Sequence, residues 1–180
     1  MTELLDTLRH LGPQDGRFQM FEEWIDGGEH AQNPFQQFFF YYIALVIASR
    51  MNNSTSPEER AVKDLLRGLQ AETPTILSSC EGELLWFAQR SDRTMLNDAA
   101  DPEPLARLKA HVLGSQSVGA TQLAQGIAVL LIQVRNNLFH GNKVYRESTD
   151  LEVLNRAVPI VRSVLSAFAN VAQQAGRTGT

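Results

Sequence analysis

Apolar residues recur at helical spacing over most of the chain. One stripe advances by four, three, four and four residues and consists of Leu123, Ile127, Leu130, Val134 and Leu138. A longer stripe alternates steps of three and four: Leu151, Leu154, Val158, Val161, Leu165, Phe168 and Ala172. Such spacing places one apolar face on each helix. No segment shows sustained strand alternation bounded by hairpin turns, so the pattern predicts an all-α bundle of four to five core helices with short peripheral helices.

Residues 38–48, with the sequence FFFYYIALVIA, form the most apolar run. The run is about half of the ~20 residues that a membrane-spanning helix needs. Its apolar residues lie on nearly all sides of a helix, which is typical of a central core helix or of a helix in a subunit interface. We expect a buried core helix, and the interface alternative stays open.

Capping and breaking residues predict the helix boundaries. Starts are indicated by the capping boxes Ser56-Pro57-Glu58-Glu59 and Thr149-Asp150-Leu151-Glu152, by Asn33-Pro34 and by Thr73-Pro74. Gly27 and Gly28 are predicted to end a helix that begins near Asp15. Gly82 predicts a bend or close packing in the helix that opens at Thr73-Pro74. Pro159 predicts a kink in the last helix.

Length and composition indicate one folded domain. The chain has 180 residues, of which 43% are apolar and 20% charged, as in ordinary globular domains. We therefore predict a single domain over residues 1–180, with peripheral helices in 1–30, a looser connecting segment at 91–119 and a disordered tail at 176–180.

Charge and cysteine content limit the functional classes. The net charge of -4 gives no overall attraction to a polyanion, so nucleic-acid binding needs a local basic patch. The single Cys80 cannot form an intrachain disulfide, and the cysteine and histidines lack zinc-ligand spacing. The N-terminus lacks a signal-peptide pattern. We expect a cytoplasmic protein that uses no metal or cofactor and does not bind a membrane.

The residues able to do chemistry lie between the two striped helices, at 134–146. Arg135 and His140 are five positions apart, so on an unbroken helix their directions differ by roughly 140°. Gly141 and Asn142 predict a helix end, where the helix dipole favours the charged form of His140. A histidine can take the proton from a 2'-hydroxyl while an arginine stabilises charge on the scissile phosphate. A structural polar cluster is the alternative interpretation of the same pair.

The sequence Arg135-Asn136-Asn137-Leu138-Phe139-His140-Gly141 closely resembles the Arg-x4-6-His motif of HEPN domains (higher eukaryotes and prokaryotes nucleotide-binding), including the polar residue after the arginine. The resemblance implies a HEPN-like helical bundle that forms a homodimer, in which the motifs of two chains line one cleft. It implies metal-independent endoribonuclease activity on RNA, with Arg135 and His140 as the catalytic residues and Asn136 as their polar neighbour.

The resemblance also implies a biological context. Many HEPN proteins act as toxins or in phage defence, often beside a nucleotidyltransferase antitoxin partner, whereas others are inactive and serve as binding modules. In some of these toxins the partner modifies a tyrosine two residues after the histidine; Asn142 stands at that position here, and Tyr145 lies further on. We therefore predict a ribonuclease, with a non-catalytic dimer that binds RNA, a nucleotide or a protein as the alternative.

Two basic residues after the motif, Lys143 and Arg146, are predicted to bind substrate RNA together with Asn136. A solvated loop is the alternative for the two basic residues. Asn137 is predicted to make only local backbone contacts.

The aromatic residues at 38–42, Trp86 and Phe87 are predicted to be core rather than base-stacking residues. Cys80 is predicted to be a small buried hydrophobe.

Overall fold

The computed structural model describes residues 16–52, 55–90, 102–139 and 148–177. Within these ranges the chain has no strand and one 3-10 turn at Gln70–Glu72, which confirms the predicted all-α bundle. The α-helices are α1 (Gly16–Glu29), α2 (Pro34–Asn52), α3 (Glu58–Gly68), α4 (Thr73–Ser79), α5 (Glu81–Gln89), α6 (Pro102–Val112), α7 (Ala120–Phe139) and α8 (Ser148–Arg177). None of the described helices combines the length and the apolarity that crossing a lipid bilayer requires.

Helix α2 is the centre of the bundle. Its N-terminus is capped as predicted, because the backbone N–H of Gln36 donates to Oδ1 of Asn33 at 2.9 Å. The helix packs against α1, α3 and α8, and Phe38, Tyr41 and Leu45 are fully enclosed. Since apolar residues lie on most sides of α2, several neighbouring helices are needed to remove them from water. The interpretation of this segment as a core helix is confirmed.

Helices α7 and α8 bury the two predicted apolar stripes. The buried members in α7 are Leu123, Ile127, Leu130 and Val134, and those in α8 are Leu154, Val158, Val161, Leu165 and Phe168. Helix α8 is a single helix of 30 residues that continues through Pro159. Helix α7 packs along α3, and this contact brings the end of α7 beside the first turn of α3.

The prediction that Gly27 and Gly28 end α1 is wrong, because the helix continues to Glu29. Gly28 is buried against the ring of Tyr41 on α2, and a Cβ at this position would lie only 2.3 Å from Cε1 of that ring. At Gly27 the nearest ring atom, on Phe40, would be 3.6 Å from a Cβ. The absence of a side chain at Gly28 therefore permits close packing of α1 on α2.

The first predicted capping box is also wrong. Helix α3 begins at Glu58 after Pro57, and no side chain caps its N-terminus. Helix α8 begins at Ser148, one residue before the predicted cap Thr149. The glutamates expected to complete the boxes have partners elsewhere in the fold instead: Glu59 contacts Asn136, and Glu152 contacts Trp86 and Arg90. For Glu152, the charged donor Arg90 is a stronger partner than one solvated backbone N–H.

The predicted helix after Thr73 is divided into α4 and α5 at Cys80, whose backbone leaves the helical conformation at φ -133° and ψ 31°. The break comes two residues before the predicted bend at Gly82. A Cβ added at Gly82 would have no neighbouring atom within 4 Å. Cys80 is buried, as predicted, and its thiol donates to the carbonyl of Ile76 at 2.8 Å. Burial, with a smaller contribution from Glu83, raises the pKa of the thiol to about 12. The group is therefore a protonated core residue at neutral pH.

Replacing Gly28 with alanine should destabilise the protein, because the added Cβ would overlap the fully buried ring of Tyr41. Overpacking of this kind costs about 1–3 kcal/mol, of which the better helix propensity of alanine offsets at most ~1 kcal/mol. Gly27→Ala is the matched control, since its Cβ would make an ordinary contact with Phe40. Urea unfolding followed by circular dichroism should give a lower midpoint for Gly28→Ala and an unchanged or higher one for Gly27→Ala. Equal midpoints would contradict the role of Gly28 in helix packing.

Candidate functional site

Arg135 and Asn136 lie near the C-terminal end of α7, where the helix emerges from the core. Val134 is completely buried, whereas the side chain of Arg135 is 31% exposed. The apolar stripe of α7 fixes the position of this helix end, because it holds the preceding turns in the core. Arg135 is thus a partly exposed cation on a rigid element.

Arg135 is held by an ion pair with Glu58 at the start of α3. Its Nη2 lies 3.2 Å from Oε1 and 3.3 Å from Oε2 of that carboxylate. Its Nη1 donates to Oδ1 of the neighbouring Asn136 at 2.8 Å. These contacts restrain the guanidinium on two sides, so the side chain is oriented before any ligand binds.

Tyr42 on α2 lies beneath the ion pair. Its ring is buried, with its centroid 6.0 Å from Cζ of Arg135, and its hydroxyl donates to Oε1 of Glu58 at 3.2 Å. Burial raises the pKa of the Tyr42 phenol well above its usual range, the Glu58 carboxylate adds to this rise, and Arg135 partly opposes it. Tyr42 therefore remains protonated and acts as a hydrogen-bond donor, not as a base.

A second carboxylate completes the group. Nδ2 of Asn136 donates to Oε1 of Glu59 at 3.3 Å, so adjacent residues on α7 contact adjacent residues on α3. We call Tyr42, Glu58, Glu59, Arg135 and Asn136 the Arg135 cluster. The cluster contains two carboxylates and one guanidinium, so its formal charge is negative. These side chains alone do not attract a polyanion.

The structure describes only some of the predicted site residues. Arg135 and Asn136 are brought together in one cluster, whereas His140, Lys143 and Arg146 lie outside the described residues. Asn137, for which only local backbone contacts were predicted, has its Nδ2 buried without a hydrogen-bond partner. The predicted catalytic geometry between Arg135 and His140 stays a prediction.

Sequence reasoning missed three members of the cluster: Tyr42, Glu58 and Glu59. Tyr42 was assigned to the core, which is correct for its ring but omits its hydroxyl. The two glutamates were assigned to a local cap, because a glutamate soon after Ser-Pro is typical of a helix start. No local pattern connects them to residues 77 positions further along the chain. The one signal in the sequence was that two consecutive glutamates follow Ser-Pro, whereas a capping box needs only one.

Other groups able to do chemistry are dispersed in the part of the chain that the structure describes. No three histidine, cysteine, aspartate or glutamate side chains there are grouped to hold a metal ion. His30 is exposed at the end of α1 and contacts Asp26, chiefly its backbone carbonyl, which raises the pKa of the imidazole. His111 borders a surface cavity of about 400 Å³ together with Ser78 and Glu81. Both histidines lie at helix ends.

Trp86 differs from the prediction that it is simply a core residue. Phe87 is buried, but Trp86 is only half-buried, and two arginines lie against its ring. The aromatic residues near 38–42 agree better with their predicted role, since Phe38, Tyr41 and Tyr42 are buried. Phe39 and Phe40 are partly buried, as Trp86 is.

Comparisons with known proteins do not assign the chain to a family, since no family model, curated protein or solved structure matches it. A function for the chain therefore rests on the motif and on the chemistry of the described side chains.

A double-mutant cycle should detect the ion pair of the Arg135 cluster. With Arg135→Gln, Glu58→Gln and the double variant, we expect a coupling free energy of about 1 kcal/mol, because both side chains are mostly shielded from solvent. The Arg162–Glu29 pair is the control: its N–O distance is shorter, 2.9 Å, but its side chains are 56% and 41% exposed. Solvent screening should limit that coupling to less than ~0.5 kcal/mol. The urea midpoints of all variants provide the measurement, and equal coupling in the two pairs would contradict the shielding argument.

Proposed function

We propose that the chain is a metal-independent endoribonuclease of the HEPN type, in which Arg135 and His140 act on RNA. The observation that carries the proposal is the position of Arg135: the arginine of the motif lies at the exposed end of a core helix and is oriented by Glu58 and Asn136. A preoriented cation of this kind can stabilise charge that develops in a transition state. The resemblance of residues 135–141 to the HEPN motif supplies the reaction type.

In the proposed reaction, His140 removes the proton from the 2'-hydroxyl of the nucleotide before the scissile bond. The 2'-oxygen attacks the phosphorus, and Arg135 stabilises the negative charge of the pentavalent phosphorane. The bond to the 5'-oxygen breaks, and that oxygen takes up a proton as it leaves. The products are an RNA that ends in a 2',3'-cyclic phosphate and an RNA with a free 5'-hydroxyl.

A homodimer belongs to the same proposal. On a continuous helix, Arg135 and His140 would point in directions that differ by roughly 140°, which is too far for one chain to direct both at a single phosphate. A second copy of the chain can supply the complementary arginine and histidine to the same cleft. The second histidine is then available to protonate the departing 5'-oxygen.

The carboxylates of the Arg135 cluster restrict how the site can work. Glu58 fixes the guanidinium but also neutralises it, so an RNA phosphate has to compete with this carboxylate or share the remaining N–H groups. Asn136 can turn its amide from Glu59 to the phosphate. In this proposal Lys143 and Arg146 supply the positive charge that the cluster lacks.

A non-catalytic binding module is the second candidate. The observation that favours it is that Arg135 already has a carboxylate partner, as an arginine with a purely structural role would. Such a module would bind RNA, a nucleotide or a protein without cleaving it. A role as a toxin or defence effector, with a nucleotidyltransferase antitoxin as partner, applies only to the catalytic candidate.

The test is incubation of the purified protein with tRNA and mRNA in EDTA. We expect cleavage by the wild type and at least a 100-fold loss of rate in His140→Ala and Arg135→Ala, since each removes a group that acts in the transition state. Arg162→Ala, which removes an equal charge from the exposed pair with Glu29, should retain the wild-type rate. The products should carry 2',3'-cyclic phosphate ends.

Two controls decide how the result is interpreted. Circular dichroism and size-exclusion chromatography should show unchanged helicity and dimerisation in every variant. Equal cleavage by the wild type and the two motif variants would indicate a contaminating nuclease and would refute the proposal. RNA binding without cleavage would favour the binding module, and a monomeric wild type would contradict the dimeric enzyme.

A further inference from the structure

Trp86 forms the centre of a second arginine-containing surface, separate from the Arg135 cluster. Trp86 lies on α5, Arg90 follows the end of that helix, and Glu152 and Arg156 lie near the start of α8. We call these four residues the Trp86 patch. Helices α5 and α8 are in contact, so the patch joins two packed elements.

Two arginines and one carboxylate surround the indole. Cζ of Arg90 lies 4.4 Å and Cζ of Arg156 lies 5.9 Å from the ring centroid of Trp86. The indole N–H donates to Oε1 of Glu152 at 3.1 Å, and Nη1 of Arg90 lies 3.5 Å from Oε2 of the same carboxylate. These contacts fix the ring by its polar edge, and the indole is only partly buried.

The charge balance of the patch is opposite to that of the Arg135 cluster. Two guanidinium groups lie beside one carboxylate, and Arg156 has no carboxylate partner among the described residues. A chain with a net charge of -4 needs such a local excess of positive charge to hold a polyanion. The Arg135 cluster, with two carboxylates and one guanidinium, does not provide it.

An indole flanked by arginines matches the chemistry of single-stranded RNA. Unstacked bases bind by stacking on aromatic rings and on guanidinium planes, and arginine binds the adjoining phosphate. Stacking tolerates any base, which suits a contact that holds RNA without reading its sequence. A folded protein partner would instead favour a larger apolar surface around the tryptophan.

We infer that the Trp86 patch is a second RNA contact, in which a base stacks on Trp86 and Arg156 binds the neighbouring phosphate. This inference rests on the proposed function for the choice of RNA as ligand. The patch lies near the start of α8 and the Arg135 cluster near the end of α7, and in the sequence only residues 140–147 separate these two helices. One RNA strand bound by both surfaces would contact the end of α7 and the start of α8.

Tryptophan fluorescence provides a direct test, because Trp24 and Trp86 are the two tryptophans of the chain. Trp24→Phe leaves Trp86 as the reporter, and Trp86→Phe leaves Trp24. The ligand is a twelve-nucleotide 2'-O-methyl oligouridylate, which lacks the attacking 2'-hydroxyl and so reports binding without cleavage. We expect the oligonucleotide to quench Trp86 in the first variant and to leave Trp24 unchanged in the second.

The same titration tests the role of Arg156 with variants that remove one charge. Arg156→Gln should weaken binding roughly 5- to 100-fold and should reduce the slope of log affinity against log salt concentration by about 0.7, the value for one phosphate contact on a single strand. Arg162→Gln is the matched control, because it removes the same charge from α8 at a side chain that contacts Glu29 on α1. Its affinity should equal that of the wild type.

The outcomes separate this inference from the proposed function. Quenching of Trp86, with weaker binding in Arg156→Gln alone, supports the patch even if no RNA is cleaved, in which case the binding module replaces the enzyme. Cleavage that depends on Arg135 and His140, combined with unchanged Trp86 fluorescence and equal affinities of both glutamine variants, overturns the patch and leaves the enzyme proposal intact. Loss of affinity in both glutamine variants also overturns it, because general electrostatics would then explain the binding.

Discussion

The bundle depends on covering a helix that is apolar on nearly every side. Because apolar residues lie on most sides of α2, α1, α3 and α8 all pack against it. This requirement explains the close approach of α1 at Gly28, where a side chain would overlap Tyr41. It also brings the first turn of α3 against α2, and that contact determines the surroundings of Glu58.

Tyr42 connects this core to the polar surface. Its ring belongs to the buried face of α2, while its hydroxyl reaches Glu58 and its ring face lies below the guanidinium of Arg135. The position of the motif arginine is therefore set by hydrophobic packing as well as by its ion pair. A cation held in this way between two rigid helices loses little conformational freedom when a ligand binds. The same restraint would serve a structural ion pair, which is why the motif and the geometry leave two functional candidates.

The two arginine-containing surfaces differ in charge balance. The Arg135 cluster contains two carboxylates and one guanidinium, whereas the Trp86 patch places two guanidinium groups against a partly buried indole. In the proposed enzyme, orientation of a reactive phosphate and attraction of the RNA strand are therefore separate tasks of separate surfaces. This division is consistent with an acidic chain, because only local positive charge can offset the overall repulsion of a polyanion.

The sequence by itself determined the all-α class, the apolar stripes of α7 and α8, the central α2 and the motif that contains Arg135 and Asn136. These features depend on residues within about four positions of one another, so local periodicity is sufficient to reveal them. Only the tertiary structure decided that Gly28 is a packing position, that Glu58 and Glu59 face α7 instead of capping α3, and that Trp86 lies between two arginines. The reason is physical: the partner of a charged or aromatic side chain depends on which distant helices pack together, and helix packing joins residues that no local pattern connects.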